Sequence, residues 1–458
     1  MSGSTDGSTG GVTYGFMHSL YSGLMRMAQP MLRRKMAQRA VAEPGYGEAV
    51  DERFGHYTQP IEATSQLVWL HAVSLGETRT AAVLLAALRA QYPGLRVLLT
   101  HGTATGRAEG RALLLPGDVQ VWQPWDTRVV VERFFSHFKP RLGLLMETEV
   151  WPCLVAGAKA RAMPLVLVNG RLSEKSLKQA LSMSPLAYPA YGALTAVYAQ
   201  TAADAKRYRQ LGVDVAGVFG NIKFDAAPSP GQQAAGKAWR SALNAHVVMF
   251  ASSREGEEAL FLQEIKAVAQ QIQGRSATDY IANERQIRWL IVPRHPQRFD
   301  EVAALVVQHG LTLSRRSSWR SSPLDSEAAM QADVWLGDTL GEMPLYYSLS
   351  DVALLGGSFE KLGGQNLIEA AACGSPVVMG PHTFNFSDAA ELAESSAAAY
   401  RVDGMAAGVQ LALELVSNPT EQSKAAAAAL AFAASHQGAT GQTVQALARY
   451  LNAVSAPV

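Results

Sequence analysis

Short apolar runs alternate with helix-length stretches along this chain, and the alternation occurs twice, on either side of a segment that fits neither pattern. The first series is Leu67–Val73, Val97–Thr100, Gln120–Trp122, Leu142–Met146, Leu165–Val168 and Val197–Gln200. The second is Val247–Ala251, Trp289–Val292, Val334–Leu336, Val352–Leu355, Pro376–Met379 and Ala399–Val402, with alanine-rich helices from about Met405 to Leu451. Runs that are apolar throughout suit strands buried on both faces, and strands separated by helices pair in parallel. The pattern predicts open, mostly parallel α/β sheets. Between the two series, Ala226–Gly236 is rich in Ala, Pro, Gly and Gln and reads as a linker. A chain of 458 residues also exceeds one ordinary core. Two α/β halves follow: 49–225 and 245–458, with a linker at 226–244 and polar surface insertions at 274–287 and 315–331. Ligands of such sheets bind beyond the carboxyl ends of the strands, and two facing sheets form a cleft between domains.

The net charge of +1 argues against a broad nucleic-acid-binding face. Cys153 and Cys373 lie in apolar helical stretches without metal-ligand spacing and read as buried thiols in a reducing compartment. The first 48 residues differ from the rest. Residues 1–12 are rich in Gly, Ser and Thr and read as a disordered tail. From Gly7 to Ala42 there is no acidic residue, yet Arg26, Arg33, Arg34, Lys35 and Arg39 all fall there. Phe16, Leu20, Leu24, Met27 and Met31 recur at helical steps on one face. An apolar stripe with a basic flank suits a helix lying on an anionic bilayer surface, or a helix packed on its own protein with solvated cations. No run is long and apolar enough for an obvious membrane span. Pro30 and Arg26 break the apolar stretch, which speaks against a secretory signal.

Several strand ends carry chemistry. Ser74-Leu75-Gly76-Glu77 follows the first strand, and Ser-x-x-Glu there is either a capping box or a carboxylate facing the cleft; spacing fits both. Met146-Glu147-Thr148-Glu149-Val150-Trp151-Pro152 follows another buried strand. Glu149 suits the dipole of the helix that Pro152 opens, and Glu147, at the strand end, is the better candidate to face the cleft. Lys223, just before the linker, can reach an anionic group or stand solvated.

In the second half, Pro293-Arg294 ends a strand and offers a guanidinium to a phosphate or a base edge. Leu340-Gly341-Glu342 opens a helix. The densest signal runs from Gly356-Gly357-Ser358-Phe359 through Gly363-Gly364-Gln365-Asn366-Leu367-Ile368-Glu369 to Gly380-Pro381-His382. Strand, glycine loop and helix N-terminus is an arrangement that receives phosphate, so a nucleotide is expected there. Asn366-x-x-Glu369 also fits a capping box, and Glu369 could instead accept from ribose hydroxyls. No Gly-x-Gly-x-x-Gly follows the first strand and no Walker A loop is present, which lowers dehydrogenase and ATPase readings. His101, His295 and His382 are acid–base candidates, but no pair has zinc spacing and no Asp-x-Asp appears, so no metal site is expected.

In this order, Trp69–Glu77, Met146–Pro152, Asn169–Glu174, Gly220–Asp225, Ala251–Glu257, Val292–His295, Gly337–Glu342 and the 356–386 region resemble the 3-deoxy-D-manno-octulosonic acid (Kdo) transferases, glycosyltransferases of lipid A. The resemblance covers roughly residues 50 to 435. It implies a GT-B architecture, two Rossmann-like domains facing across a central cleft, with an N-terminal amphipathic helix. It implies CMP-Kdo as donor and no cofactor, a lipid A precursor (lipid IVA) as acceptor, and inverting, metal-independent transfer. It further implies a place on the cytoplasmic face of the bacterial inner membrane, against its anionic lipid surface. Carried over by position, Glu77 is the general base, and Glu147 and Lys223 stabilise the transition state. Pro293, Arg294, Leu340, Gly341, Glu342, Asn366, Leu367, Ile368 and Glu369 bind CMP. Gln365 and Arg254 stand where the family commonly has His, and Asn169-Gly170-Arg171 replaces Asn-Ala-Arg. Two other classes share these features: a GT-B sugar-nucleotide epimerase or hydrolase acting on a soluble substrate, and a catalytically silent nucleotide- or lipid-binding protein.

Overall fold

The structure is a computed structural model that describes residues 7–59, 67–271, 281–282 and 285–452. It divides into two compact units, residues 1–225 with 437–458, and residues 226–436. The first unit is built on β1 (Leu67–His71), β2 (Arg96–His101), β3 (Val119–Trp122), β4 (Leu142–Met146), β5 (Leu165–Gly170), β6 (Ala196–Ala199) and β7 (Val215–Val218). Their order is β3-β2-β1-β4-β5-β6-β7, and every pairing is parallel. β1, β4 and β5 are buried along their whole length, as expected of strands covered by helices on both faces. Chain order reverses between β1 and β4. At such a switch point the loops after neighbouring strands diverge and leave a crevice.

The second unit holds β8 (Ala245–Ser253), β9 (Ile281–Ala282), β10 (Arg285–Pro293), β11 (Leu313–Arg315), β12 (Val334–Leu336), β13 (Val352–Leu355), β14 (Val377–Met379) and β15 (Ala399–Arg401). The order β11-β12-β10-β8-β13-β14-β15 is again parallel, with β9 pairing antiparallel to β10. Its switch point lies between β8 and β13. The insertion expected at 274–287 falls largely outside the described residues, whereas the one at 315–331 contains the short helix Glu327–Gln331 and continues from edge strand β11. Two parallel α/β units match the GT-B composition.

Three boundaries differ from the sequence expectation. The helix Ala439–Asn452 belongs to the first unit rather than closing the second. Asp225 explains this, because its carboxylate accepts from Gly438 N (2.5 Å) and Thr440 N (2.5 Å), capping that helix onto the end of the first unit. Val444 and Leu447 then bury against the β1 side of the first sheet with Leu84 and Leu88. Most of the expected linker is the helix Pro230–Ala242, opened by Pro230 in its first turn. It lies so close to the helix Met343–Leu349 that a Cβ at Gly236 would sit 2.4 Å from Leu345 O.

At the N-terminus, helix runs from Gly7 to Met27 and again from Gln29 to Ala42, with Pro30 in the first turn of the second. Residues 1–6 of the expected disordered tail lie outside the described residues, but 7–12 are helical. Extending a formed helix costs far less than starting one, so a weakly helical Gly/Ser/Thr stretch follows the stronger segment behind it. Phe16, Leu20, Leu24, Met27 and Met31 are all exposed, Met27 by 80%. Among the described residues no helix is long and apolar enough to cross a membrane.

Candidate active site

The first switch point gathers three carboxylates. Glu77 sits in the first turn of the helix Leu75–Gln91, which Ser74 caps. Its carboxylate accepts from Val73 N (2.8 Å) and from Ser74 Oγ (3.2 Å), while Glu77 N donates to Ser74 Oγ (3.3 Å). The capping arrangement is therefore formed, yet it does not consume the residue. Burial pushes the half-buried Glu77 carboxyl up to about 7; the Val73 N–H opposes this, and the charges of Glu147 and Glu149 add to it. A carboxyl poised there can hold or release a proton near neutrality.

Glu147 follows β4 directly, with a left-handed backbone (φ 55) that disfavours a residue carrying a Cβ. The neighbours hold that conformation. Glu147 N donates to Val168 O (3.1 Å), and Glu147 O accepts from Arg171 N (3.2 Å) and Tyr208 Oη (3.2 Å). Such strain persists where the surroundings over-determine it, commonly at functional sites. The Glu147 carboxylate pairs with Lys223 Nζ at 2.9 Å. Lys223 is carried there by Asn169, whose Oδ1 accepts from Ile222 N (3.0 Å), while Asn221 Oδ1 accepts from Lys223 N (3.0 Å). The sequence-predicted trio thus converges on one crevice.

Glu149 and His71 complete the site. Wholly buried His71 receives or gives a hydrogen bond at Thr100 Oγ1 (2.7 Å) and presents Nε2 to Glu149 Oε2 at 3.9 Å, an ion-pair distance. Burial alone would raise Glu149, but His71, Trp151 and Thr148 outweigh it and hold the carboxyl below its ordinary range. Two neighbouring carboxyls are thereby driven apart, one protonated near neutrality and one ionised. The sequence reading assigns no role to His71 or Asn169; the signal that points to them is a polar residue at the end of an otherwise apolar strand. His101 is not an acid–base group here. It is buried, bonded to Ala72 O (2.9 Å), and burial pushes its imidazole down to about 4.

In the second unit the expected phosphate loop is already occupied. Glu257, wholly buried, accepts from Gly357 N (2.7 Å), Phe359 N (3.0 Å), Glu360 N (3.3 Å) and Arg254 N (3.0 Å). These N–H groups are therefore committed to an internal carboxylate and not open to a nucleotide. What remains lies beside it, beyond the carboxyl ends of β10, β12 and β13. Pro293 ends β10, and Arg294 Nε donates to Gln365 Oε1 (3.1 Å), joining that strand end to the 363–369 segment. Leu340 is exposed, and Gly341 takes φ 77, a conformation natural to glycine. Glu342 pairs with Arg316 (2.9 Å) and accepts from Thr339 and Tyr346. The capping box expected at Asn366 is not formed: Leu367 is the N-cap of the helix Ile368–Ala372, and Asn366 Oδ1 accepts from Ile368 N (3.0 Å) in a local turn. Among the described residues no group of three His, Cys, Asp or Glu side chains could hold a metal ion.

A family model described as 3-deoxy-D-manno-octulosonic-acid transferase (kdotransferase) matches residues 48–226. A 3-deoxy-D-manno-octulosonic acid transferase of Bordetella pertussis is 44% identical over 439 residues, which span 94% of this chain and 99% of that protein. The corresponding transferase of Haemophilus influenzae is 29% identical over 407 residues, 88% of this chain and 91% of that one. Among solved structures, a putative UDP-N-acetylglucosamine 2-epimerase from Listeria monocytogenes matches with a TM-score of 0.53 at 13% identity, covering 85% of this chain and 98% of that one. At that identity the likeness shows the fold alone.

Proposed function

This chain belongs to the 3-deoxy-D-manno-octulosonic acid transferase family and is a glycosyltransferase of lipopolysaccharide biosynthesis; on that premise we propose that it transfers Kdo from CMP-Kdo to lipid IVA, with inversion and without a metal ion. The observation that carries the chemistry is the raised carboxyl of Glu77, beside ionised Glu149 and the Glu147–Lys223 pair. In this reading Glu77 takes the proton from an acceptor hydroxyl as its oxygen attacks the anomeric carbon of Kdo. The bond from that carbon to the phosphate oxygen breaks on the opposite face, and CMP leaves with the electron pair. Lys223 and the ionised carboxylates shape the field around the developing positive charge on the sugar. Arg294, with Pro293, Leu340–Glu342 and Asn366–Glu369, holds CMP and neutralises its phosphate.

The protein works against an anionic membrane surface in this reading, on the cytoplasmic face of the inner membrane. The exposed Phe16, Leu20, Leu24, Met27 and Met31, with Arg26, Arg34 and Lys35 exposed nearby, support it. The test is incubation with CMP-Kdo and tetraacylated lipid A precursor, followed by mass measurement of the lipid. Addition of one or more Kdo residues is the expected result. Release of free Kdo with unchanged lipid would replace transfer by hydrolysis.

A further inference from the structure

The N-terminal helix Gly7–Met27 is turned inside out relative to an ordinary surface helix. Its apolar Phe16, Leu20 and Leu24 are exposed, whereas His18, Tyr21, Ser22 and Met25, at helical steps on another face, meet the protein. Those inward contacts converge on one place, the start of the helix Pro152–Ala160. His18 lies against Pro152, Tyr21 beside Asp126 and Ser22 beside the Cys153 thiol. Ser22 Oγ also accepts from Arg128 N (3.0 Å), and Met25 O accepts from Trp125 Nε1 (2.8 Å).

That helix start lacks a cap of its own. Its N-cap is Trp151, which supplies no side-chain bond, so the first-turn N–H groups need an outside acceptor. Asp126 provides it, accepting from Cys153 N (3.1 Å) and Leu154 N (2.8 Å) while only 2% exposed. Ser22 and Met25 thus hold Arg128 and Trp125 on either side of the carboxylate that anchors this turn, and Tyr21 lies beside it. The residues immediately before it, Glu147 to Trp151, form the segment that carries Glu147 in its strained conformation and Glu149 beside His71. The Glu147 end of that segment is fixed by β4 and by Val168, Arg171 and Tyr208, whereas Glu149 bonds Trp151 (2.8 Å), the N-cap of the helix that starts at Pro152.

We infer that Tyr21 and Ser22 are positioning residues for transfer: they steady the 125–128 turn, whose Asp126 clamps the first turn of the Pro152–Ala160 helix, and thereby help to hold Glu147 and Glu149 in register with Glu77. The helix that bears the exposed apolar stripe is then part of the scaffold of the catalytic centre and not a detachable anchor. The inference rests on the reading that Glu77 and Glu147 serve the reaction. A displacement of about 1 Å in such a constellation can cost on the order of 10²-fold in rate, so a modest loosening is measurable.

The test uses the full chain with lipid acceptor dispersed in detergent and no vesicles, which removes any contribution of membrane binding. Tyr21→Phe deletes one hydroxyl and keeps the ring, and Ser22→Ala deletes the other. Each is expected to lower kcat about tenfold, leaving KM for CMP-Kdo and sedimentation with anionic vesicles unchanged. Ser22→Thr, which keeps the hydroxyl, should restore kcat. Wild-type kcat in both Tyr21→Phe and Ser22→Ala would overturn the inference, as would a loss seen with vesicles but absent in detergent. Where Tyr21→Phe fails to fold, equal kcat for Ser22→Ala and Ser22→Thr overturns it. Absence of transfer by the wild-type chain would instead remove the underlying functional reading.

Discussion

The two sheets reverse their strand order at equivalent places, and the two switch points are finished in different ways. Between β8 and β13 a carboxylate fills the crevice. Glu257 accepts four backbone N–H groups, and although burial pushes its carboxyl up, those bonds oppose the shift. Between β1 and β4 three carboxylates share the crevice, each with fewer donors than Glu257. Glu77 has one backbone N–H and one hydroxyl, and Glu147 and Glu149 add negative charge nearby. The same topological position thus holds a structural carboxylate in one unit and a titratable one in the other. Donors per carboxylate, more than burial, separate the two: a buried acid surrounded by N–H groups is a strut, and a buried acid short of them is a proton carrier.

Glu77→Gln is the most disruptive way to probe this contrast. The amide keeps the size and an acceptor for Val73 N but cannot take a proton. Transfer should fall by roughly 10²–10⁴-fold, with CMP affinity little changed. In the wild type, kcat should drop as pH falls through about 7, because the protonated carboxyl cannot act as base. Stability should move the other way. A carboxyl whose native pKa is raised contributes stability that is present below its unfolded value and lost as pH rises to about 7. Glu77→Gln should therefore melt higher relative to wild type at pH 8 than at pH 5. A variant with near wild-type turnover and no such pH-dependent gain in melting temperature would reduce Glu77 to a cap.

Glu257→Gln should act on the other crevice and by another route. One carboxylate oxygen becomes an NH₂ group facing N–H donors, which leaves buried donors without an acceptor. A loss of about 3 kcal/mol of stability follows from leaving such groups unsatisfied. CMP affinity should fall with it, because the 356–360 loop loses its support. Thermal melting and CMP titration would read this; a variant as stable as the wild type would mean that the crevice re-forms without the charge.

Much of this contrast was hidden from the sequence, for a definite reason. Strands β4, β12 and β13 were legible because their apolar runs are uninterrupted on both faces. Edge strands β7 and β11 were not: Val215-Ala216-Gly217-Val218 is weakened by glycine, and Leu313-Ser314-Arg315 is mostly polar. The Ser74–Glu77 cap could be read because its partners are three and four residues apart. Glu257 meets three of its four donors about a hundred residues later, and Asp126 meets Cys153 at a separation of 27, so these bonds have no local signature. The glycines at 356–357 marked a backbone that needs an anion, but not that the protein supplies its own.

Lys223→Met sharpens the comparison from inside the first crevice. Its ammonium offsets the Glu147 charge at 2.9 Å. Without it, Glu147 acts on Glu77 as an uncompensated like charge, which disfavours a second ionisation. The low-pH limb of the rate profile should shift upward by up to about one pH unit, with kcat reduced about tenfold at neutrality. An unchanged limb would show that Lys223 serves stability rather than the titration of Glu77.

The smallest expected effect is that of chelation, and it bears on both crevices at once. A divalent cation would have to enlist the carboxylates that lie there. Those carboxylates are committed elsewhere: Glu147 to Lys223, Glu149 to Trp151 (2.8 Å) and the His71 side, and Glu257 to backbone N–H groups. The leaving group of the proposed reaction is a nucleoside monophosphate, whose single phosphate a guanidinium such as that of Arg294 can neutralise with bidentate bonds. Transfer measured in excess EDTA should therefore match the untreated rate. Complete loss that magnesium or zinc restores would mean that a metal displaces Lys223 or Arg294 from these pairings during turnover, and the division of the two crevices into strut and proton carrier would have to be redrawn around it.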